Sequence, residues 1–302
     1  MTSRRCAVAG LLLAACGARS GLDLPVARAD ASRVVSDARS PADAFDSRAR
    51  DAGQETGPPM VLEAGVTCAD GGFPVAYVLD LNGLLYTFDP ATLSTTLVGA
   101  PACGDAAGAW DFTVSREGNA YIIYDDWKIF EVDLHSPSLP CTPTAFVNGQ
   151  LGLTGNFTST VLPTSTGEQM LFYGTPAGGA SPILARSDLT TFVLSEIGPV
   201  DVPSQFGATI LDVKADALGR LFGLSEDGMF DQINPASGEL ISALNTPFAS
   251  ANWALLTFED QLYFFGGQNV SGFDLATRAL TVLGTVGPTV VGASAVPCLH
   301  AP

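Results

Sequence analysis

The chain repeats one short pattern five times, and this repetition constrains its fold more than any other feature. In each copy an aromatic-rich strand is followed by a second strand that ends in Asp or Asn and then by a polar turn. Successive copies lie 44, 55, 46 and 40 residues apart. Such a period predicts similar units that stack to bury a common core. The copies are Phe88-Asp89-Pro90, Val132-Asp133-Leu134, Ser187-Asp188-Leu189, Ile233-Asn234-Pro235 and Phe273-Asp274-Leu275.

The units also share turns and a preceding strand. Asn82-Gly83 and Asp227-Gly228 predict hairpins within two of the units. An additional strand begins at Asp111 and again at Asp212, in both cases seven residues before a glycine. The first unit has no such strand before it, whereas the C-terminal segment Thr289–Val296 supplies an unpaired one. We therefore expect the last strand to complete the first unit.

A ring of four-stranded units closed in this way resembles the β-propeller domains of bacterial surface lipoproteins. The resemblance covers residues 67–302 and implies an all-β, five-bladed β-propeller of about 47 residues per blade. Six blades remain an alternative, because the 55-residue gap could contain a further strand pair. The fold implies no activity by itself, since propellers perform binding, scaffolding and catalysis.

The start of the chain resembles the signal peptide of a bacterial lipoprotein. Arg4 and Arg5 precede a short apolar run, which is too short to span a bilayer, and Leu13-Ala14-Ala15-Cys16 resembles a lipobox. This implies that residues 1–15 are removed and that Cys16 carries the lipid that anchors the protein to a membrane. Gly17 in place of Asp favours the outer membrane of a Gram-negative bacterium. An ordinary signal peptide is the alternative.

Residues 16–66 are predicted to form a tether between the lipid and the body. They are rich in Ala, Asp, Ser, Arg and Pro and show no sustained hydrophobic period, which is typical of disordered linkers. A short amphipathic helix within residues 27–49 is the alternative. The body, residues 67–302, is the predicted propeller domain.

The charge of the chain excludes one class of partner. It has 31 acidic and 14 basic residues, for a net charge of -17. A chain this acidic is not expected to bind nucleic acid, because phosphate contacts require basic patches. Cationic partners are compatible with such a surface, although solubility alone also explains it.

Four cysteines remain in the predicted body, where an oxidising compartment favours disulfides. Ring closure places Cys68 near Cys298, and Cys103 and Cys141 then bracket the second blade. We therefore predict the pairs Cys68–Cys298 and Cys103–Cys141, out of three possible connectivities. No C-x-x-C or C-x-x-H spacing supports a metal site instead.

The sequence contains little that indicates catalysis. His135 and His300 are the only histidines, and neither is well placed for a catalytic triad. Adjacent Asp125 and Asp126 lie at a strand end, where their side chains diverge. We therefore expect no metal, no cofactor and no catalytic residues, with a weak calcium site in a turn as an open alternative.

The candidate ligand site lies at the start of the innermost strands. Trp110, Asp111 and Trp253 occupy comparable positions there, and Phe206 lies in a loop before another such strand. These residues form a stacking platform for a sugar or peptide if they rim the central channel. Packing between blades is the alternative.

The sequence thus favours a non-catalytic, lipid-anchored binding or scaffolding protein of the cell envelope that recognises a protein or a glycan. One alternative is an assembly factor for outer-membrane proteins that adds an edge strand to its client. Another is a glycan-acting enzyme that uses carboxylates of the channel. Three or more carboxylates in one channel mouth would favour the enzyme, whereas an uncharged aromatic rim would favour binding.

Overall fold

The structure is a computed structural model that describes residues 73–104, 107–165, 167–178, 181–201, 210–225, 228–246, 253–259 and 261–299. These residues form 18 β-strands and one short 3₁₀ helix, Gln150–Gly152. In this part of the chain no helix has the length and apolar character needed to cross a membrane. The fold is all-β, as the repeats predict.

Three of the sheets contain four antiparallel strands each, hydrogen-bonded in chain order. This is the order expected for a propeller blade. The first of these sheets is β4 (Ala109–Val114), β5 (Asn119–Tyr124), β6 (Ile129–Asp133) and β7 (Cys141–Pro143). The second is β8 (Phe157–Thr164), β9 (Gly167–Gly174), β10 (Ile183–Ser187) and β11 (Ser195–Pro199). The third is β12 (Ile210–Ala215), β13 (Leu221–Ser225), β14 (Met229–Ile233) and β15 (Leu240–Asn245).

The fourth sheet has six strands in the order β16-β17-β18-β1-β2-β3. It joins the segments that the repeats assign to the fifth and first units, because β17 and β18 are 14 and 21 residues long and run from one unit toward the other. The described strands therefore form a propeller-like arrangement of four sheets, and the prediction of five separate blades is not confirmed. The strands of this sheet are β1 (Phe73–Asp80), β2 (Leu85–Asp89), β3 (Ser94–Gly99), β16 (Trp253–Phe258), β17 (Gln261–Asp274) and β18 (Ala279–Leu299).

The C-terminal strand closes the structure onto its first strand, as predicted. β18 pairs antiparallel with β1, with Val75 opposite Val296 and Tyr77 opposite Ser294. β1 then pairs with β2, and β2 with β3. The segment Thr289–Val296 thus completes the sheet that begins at the first repeat.

The repeated Asp or Asn makes the same local contact in all five units. In each unit it lies at or just after the end of a strand, and its side-chain oxygen accepts a hydrogen bond from the backbone N–H two residues later, at 2.8 to 2.9 Å. This Asx turn redirects the chain into the next strand, which explains the residue type at that position. The residues are Asp89, Asp133, Asp188, Asn234 and Asp274.

The predicted hairpin glycines adopt the left-handed conformation. Gly83 and Gly228 have φ values of 74° and 80°, and each donates its N–H to the carbonyl of the residue three positions earlier. This geometry is typical of a three-residue hairpin loop whose last position requires φ above zero. A larger side chain there would be strained.

The long gap between the second and third repeats contains a loop and not a further strand pair. Between β7 and β8 the chain is fully described, and it forms the 3₁₀ helix with connecting segments. The structure therefore gives no support to the six-bladed alternative in this region.

The apolar core of the described residues is divided into five clusters, which lie between successive repeat units. Five inner strands also contact one another in a closed cycle, β18 with β4, β4 with β8, β8 with β12, β12 with β16, and β16 with β18. We call these five strands the inner ring. Four of the inner strands, β4, β8, β12 and β16, are edge strands of their sheets, so that one side of the backbone of each is left without a partner strand.

Candidate functional site

Polar side chains of the inner ring bond to the backbone of the next inner strand. They accept hydrogen bonds from N–H groups that a strand edge would otherwise leave unsatisfied, and the distances are 2.7 to 3.0 Å. Buried Asp, Thr and Ser on these strands therefore join neighbouring units. The donor and acceptor pairs are Val114 N with Ser294 Oγ, Ser159 N with Asp111 Oδ2, Val161 N with Thr113 Oγ1, Ala215 N with Thr160 Oγ1, and Leu255 N with Asp212 Oδ2.

A buried cluster of three charges lies within this network. Lys214 is 2% exposed, and its Nζ donates to Asp111 Oδ1 at 2.8 Å, to Asp212 Oδ1 at 2.5 Å and to the Ser159 carbonyl at 3.3 Å. Thr158 Oγ1 donates to the other Asp111 oxygen at 2.6 Å. The three donor positions of the ammonium group are thus matched by three acceptors from β4, β8 and β12.

Burial controls the protonation of this cluster. It raises the pKa of Asp212 to about 7, with Lys214 opposing the shift and Asp111 adding to it. Burial lowers the pKa of Lys214, but the two carboxylates raise it by more, so that the ammonium form is favoured. A buried ion pair of this kind is costly to break, because removal of one partner leaves an uncompensated charge in a dry environment.

A solvent-open cavity, of about 720 Å³ when the open solvent at its mouth is counted, lies at the C-terminal ends of the inner strands. We call it the axial cavity. Each of the five inner strands contributes to its lining, through Val114, Val161, Ala215, Thr257 and Ala295.

The axial cavity is also lined by Glu168, Asp216, Glu259 and Arg220, in addition to aromatic Phe258. Burial raises the pKa of Glu168, although the hydrogen bond that its carboxylate accepts from the Arg116 N–H at 2.7 Å opposes the shift. Asp216 also has a structural role, because it accepts the N–H groups of two residues of its own turn and pairs with Arg220. The cavity therefore combines hydrogen-bonding carboxylates with apolar walls.

Two of the predicted ligand residues, Trp110 and Asp111, lie at the opposite end of β4 from this cavity. Trp110 is half-buried, donates its indole N–H to the Phe157 carbonyl at 3.2 Å, and packs edge-to-face against Trp127. Asp111 is buried in the charge cluster. These contacts favour packing between units for both residues. Phe206 and the side chain of Trp253 lie outside the described part of the structure.

One predicted disulfide is confirmed. Cys103 and Cys141 are bonded, with their Cα atoms 4.7 Å apart, and they join the segment before β4 to β7 of the same sheet. Cys16, Cys68 and the side chain of Cys298 lie outside the described residues, so that the lipid attachment and the second disulfide stay predictions.

The remaining sequence candidates have local structural roles. His135 is exposed, and its ring Nε2 lies 2.9 Å from the Glu117 carbonyl. Asp126 pairs with Lys128 within a hairpin loop. Among the described side chains, no group of three or more His, Cys, Asp or Glu is arranged to hold a metal ion.

Comparison with known proteins identifies no family for this chain. No protein-family model and no curated protein matches this chain. Among solved structures, the chain is similar to a protein of unknown function from Bacteroides caccae, with 10% sequence identity and a TM-score of 0.38. That match covers 70% of this chain and 73% of the other.

Sequence reasoning missed both the axial cavity and Lys214. The cavity collects residues from strands that are far apart in the chain, and no local motif marks them. Lys214 does carry a signal, since it lies two residues after Asp212 and therefore on the same face of β12. An acidic residue and a lysine on one face of an inner strand indicate a buried ion pair.

Proposed function

We propose that this protein is a lipid-anchored binding protein of the cell envelope, whose body recognises a glycan at the axial cavity. The observation that carries the proposal is the shape and lining of this cavity, which all five inner strands form together. Ring-shaped folds offer such a cavity at the axis, where loops and strand ends converge.

The finer architecture that we propose is a five-bladed propeller in which the six-stranded sheet comprises two blades. Two observations support it. The inner ring has five members in a closed cycle. In addition, Phe88 of β2 packs against Phe265 of β17 with ring centroids 5.3 Å apart, and both belong to one core cluster between the two halves of this sheet. Side-chain packing between two opposed sets of strands is typical of neighbouring blades.

The lining favours a polyhydroxylated ligand over a protein surface. Phe258 offers an aromatic face against which a sugar ring can stack. The carboxylates of Glu168 and Glu259 accept hydrogen bonds from hydroxyl groups, which are the donors that a sugar presents in all directions.

The lipobox Leu13-Ala14-Ala15-Cys16 supports anchoring at the envelope. Several acyl chains on Cys16 bind a membrane stably, whereas a single chain is marginal. We propose the outer membrane of a Gram-negative bacterium as the location. Residues 17–66 would then hold the body away from the lipid surface.

Replacement of Cys16 with Ser is expected to release the protein from the membrane fraction. The lipid that anchors the protein attaches to the sulfur of this residue, so that the variant has no anchor. Fractionation of cells followed by immunoblotting measures the distribution, and Cys6→Ser is the matched control because it lies in the removed segment. An unchanged membrane fraction for Cys16→Ser contradicts lipid anchoring.

A glycan-acting enzyme is the second candidate, and a specific observation favours it. Three carboxylates, those of Glu168, Asp216 and Glu259, line one cavity. The raised pKa of Glu168 is the property that a general acid requires. Asp216 is committed to its turn and to Arg220, which leaves Glu168 and Glu259 as the possible pair.

Replacement of Glu168 with Gln distinguishes the two candidates. For a binding protein, we expect the wild type to bind glycans without cleaving them, and Glu168→Gln to weaken binding by about tenfold or more through the lost charged hydrogen bond. For an enzyme, the wild type releases reducing ends and the variant loses about 10²- to 10⁴-fold in rate. Glycan arrays and a reducing-end assay measure these outcomes.

The matched control is Glu196→Gln, because Glu196 is an exposed residue of β11 that does not line the axial cavity. Equal effects of the two substitutions would contradict a role for the axial cavity in either function. A wild type that neither binds nor cleaves any glycan tested would contradict both candidates.

A further inference from the structure

The turn between β4 and β5 contacts a carboxylate of the axial cavity that belongs to the neighbouring unit. The turn consists of Ser115, Arg116, Glu117 and Gly118, and the Gly118 N–H closes it by donating to the Ser115 carbonyl at 3.0 Å. The backbone N–H of Arg116 is not needed for this closing bond. It donates instead to Glu168 Oε1, on β9 of the next sheet, at 2.7 Å. The two units are therefore linked at the lining of the cavity.

The conformation of this turn explains why the Arg116 N–H is available. Gly118 has a φ of 76°, which is typical of the last position of a three-residue hairpin loop. The closing bond of such a turn uses the N–H of its fourth residue, so that the N–H of its second residue, Arg116, can bond elsewhere. A backbone N–H has no side-chain rotamers to lose, and it therefore holds a carboxylate at a low entropic cost.

This contact determines which oxygen of Glu168 can meet a ligand. Glu168 lines the axial cavity and is half-buried. An ionised carboxylate is a hydrogen-bond acceptor at both of its oxygens. The bond from Arg116 fixes Oε1, and with it the orientation of the whole carboxylate. The acceptor capacity of Oε2 is thus left for a ligand hydroxyl.

The same contact affects the charge of Glu168. Burial raises the pKa of this carboxyl, whereas the N–H and the positive charge of Arg116 lower it, and the charge of Glu117 raises it. Burial and nearby carboxylates, including that of Glu168, raise the pKa of the Tyr121 hydroxyl, which therefore stays neutral. The other charged residues of the cavity lining are Asp216, Arg220 and Glu259. The bond from Arg116 favours the ionised form of Glu168 and opposes the protonated form that a general acid requires.

We propose that Arg116 is a positioning residue for the axial cavity, and that its backbone N–H fixes the Glu168 carboxylate of the neighbouring unit so that Oε2 binds a glycan hydroxyl. This inference rests on the proposed glycan function and deepens it, because it assigns the orientation of a ligand-binding carboxylate to a contact between two units. The N–H of Arg116 makes the bond, whereas its guanidinium acts through its charge. A substitution that keeps the N–H and one that removes it should therefore differ.

The contact itself can be tested without a glycan. An amide proton that is bonded to a carboxylate shifts downfield when the carboxylate ionises, so that the proton shift of the Arg116 amide should follow the ionisation of Glu168. NMR spectra of the full chain with ¹⁵N-labelled arginine measure this shift between about pH 4 and pH 8. Glu168→Gln is expected to abolish the titration. An Arg116 amide that does not titrate, or that titrates equally in Glu168→Gln, would overturn the proposal.

Two variants at Arg116 test its role in binding. Arg116→Pro removes the N–H, and the fold should accept it because proline is favoured at the second position of such a turn. We expect this variant to weaken the binding of the glycan that the wild type selects on an array by about tenfold, since the carboxylate loses its fixed orientation. Arg116→Gln keeps the N–H and is the matched control, with a smaller expected loss.

Ala217→Pro is the control for the proline itself. Ala217 holds the same position in the turn Asp216–Gly219, which Gly219 closes by donating to the Asp216 carbonyl at 3.0 Å. In this variant the Arg116 amide should titrate as in the wild type. Equal glycan binding by Arg116→Pro and Arg116→Gln would contradict the positioning role and leave the proposed function intact. A wild type that binds no glycan would contradict the proposed function and, with it, this role.

Discussion

Replacement of Lys214 with Met is expected to lower the free energy of unfolding by about 3 to 5 kcal/mol at pH 8. The substitution keeps the unbranched apolar stem but leaves Asp111 and Asp212 as buried carboxylates without their cation. Both are at most 3% exposed, so that water cannot replace the lost ammonium group. Urea unfolding followed by fluorescence or circular dichroism measures the change.

The loss is expected to shrink as the pH falls toward 5. Asp212 has a raised pKa in the folded protein, so that it binds a proton more readily there than in the unfolded chain. Its destabilising effect therefore decreases as the pH falls from about 7 toward the ordinary pKa of 3.8. Removal of the Lys214 ammonium group also removes the charge that opposes the raised pKa of Asp212, so that the shift of this carboxyl becomes larger in the variant. The unfolding free energy of the variant should therefore rise more on acidification than that of the wild type.

Lys128→Met provides the control for this experiment. Lys128 pairs with Asp126, but its side chain is 61% exposed, and exposed pairs contribute about 1 kcal/mol or less. We expect little change for this variant at either pH. If Lys214→Met is no more destabilising than Lys128→Met, or if its loss is equal at pH 8 and pH 5, the buried cluster does not hold the units together.

Removal of the Cys103–Cys141 disulfide is expected to have an effect of similar size. The two cysteines are 38 residues apart, and the chain-entropy model assigns such a loop about 4 kcal/mol. The double variant Cys103→Ala/Cys141→Ala should lower the unfolding free energy by about this amount, because its unfolded chain gains freedom. Urea unfolding of the two proteins under oxidising conditions provides the comparison.

The double variant is preferable to a reducing agent, because a reductant would also break any bond between Cys68 and Cys298. A single variant, Cys103→Ala, serves as a further control and should be at least as destabilised as the double variant, since it leaves one thiol unpaired. A loss well below about 1 kcal/mol in the double variant would mean that the unfolded chain is already restricted in this region.

The local signals in the sequence predicted the repeating parts of this fold correctly. The Asp and Asn residues that end a strand form the same Asx turn in all five units, and Gly83 and Gly228 adopt the expected hairpin conformation. Closure by Thr289–Val296 and the Cys103–Cys141 bond followed from one topological argument. Each of these features depends on a few neighbouring residues or on the order of the units.

Features that depend on contacts between units could not be predicted in the same way. The prediction of five separate sheets was not confirmed, because β17 and β18 continue from one repeat unit into the other. Their sequences contain no Asn-Gly or Asp-Gly turn at which a strand would be expected to end. The aromatic rim was assigned to the start of the inner strands, whereas the axial cavity lies at their other ends. Which end of a ring opens into a cavity depends on side chains from every unit at once.

The pairing of β1 with β18 has a consequence for how the protein is made. Tyr77 and Ser294 are partners in this pairing although more than 200 residues separate them, so that bringing them together has a high entropic cost for the chain. During synthesis, β1 cannot pair with β18 until residues 290–299 have left the ribosome. We expect the nascent chain to remain open until then and the ring to close as a late step of folding.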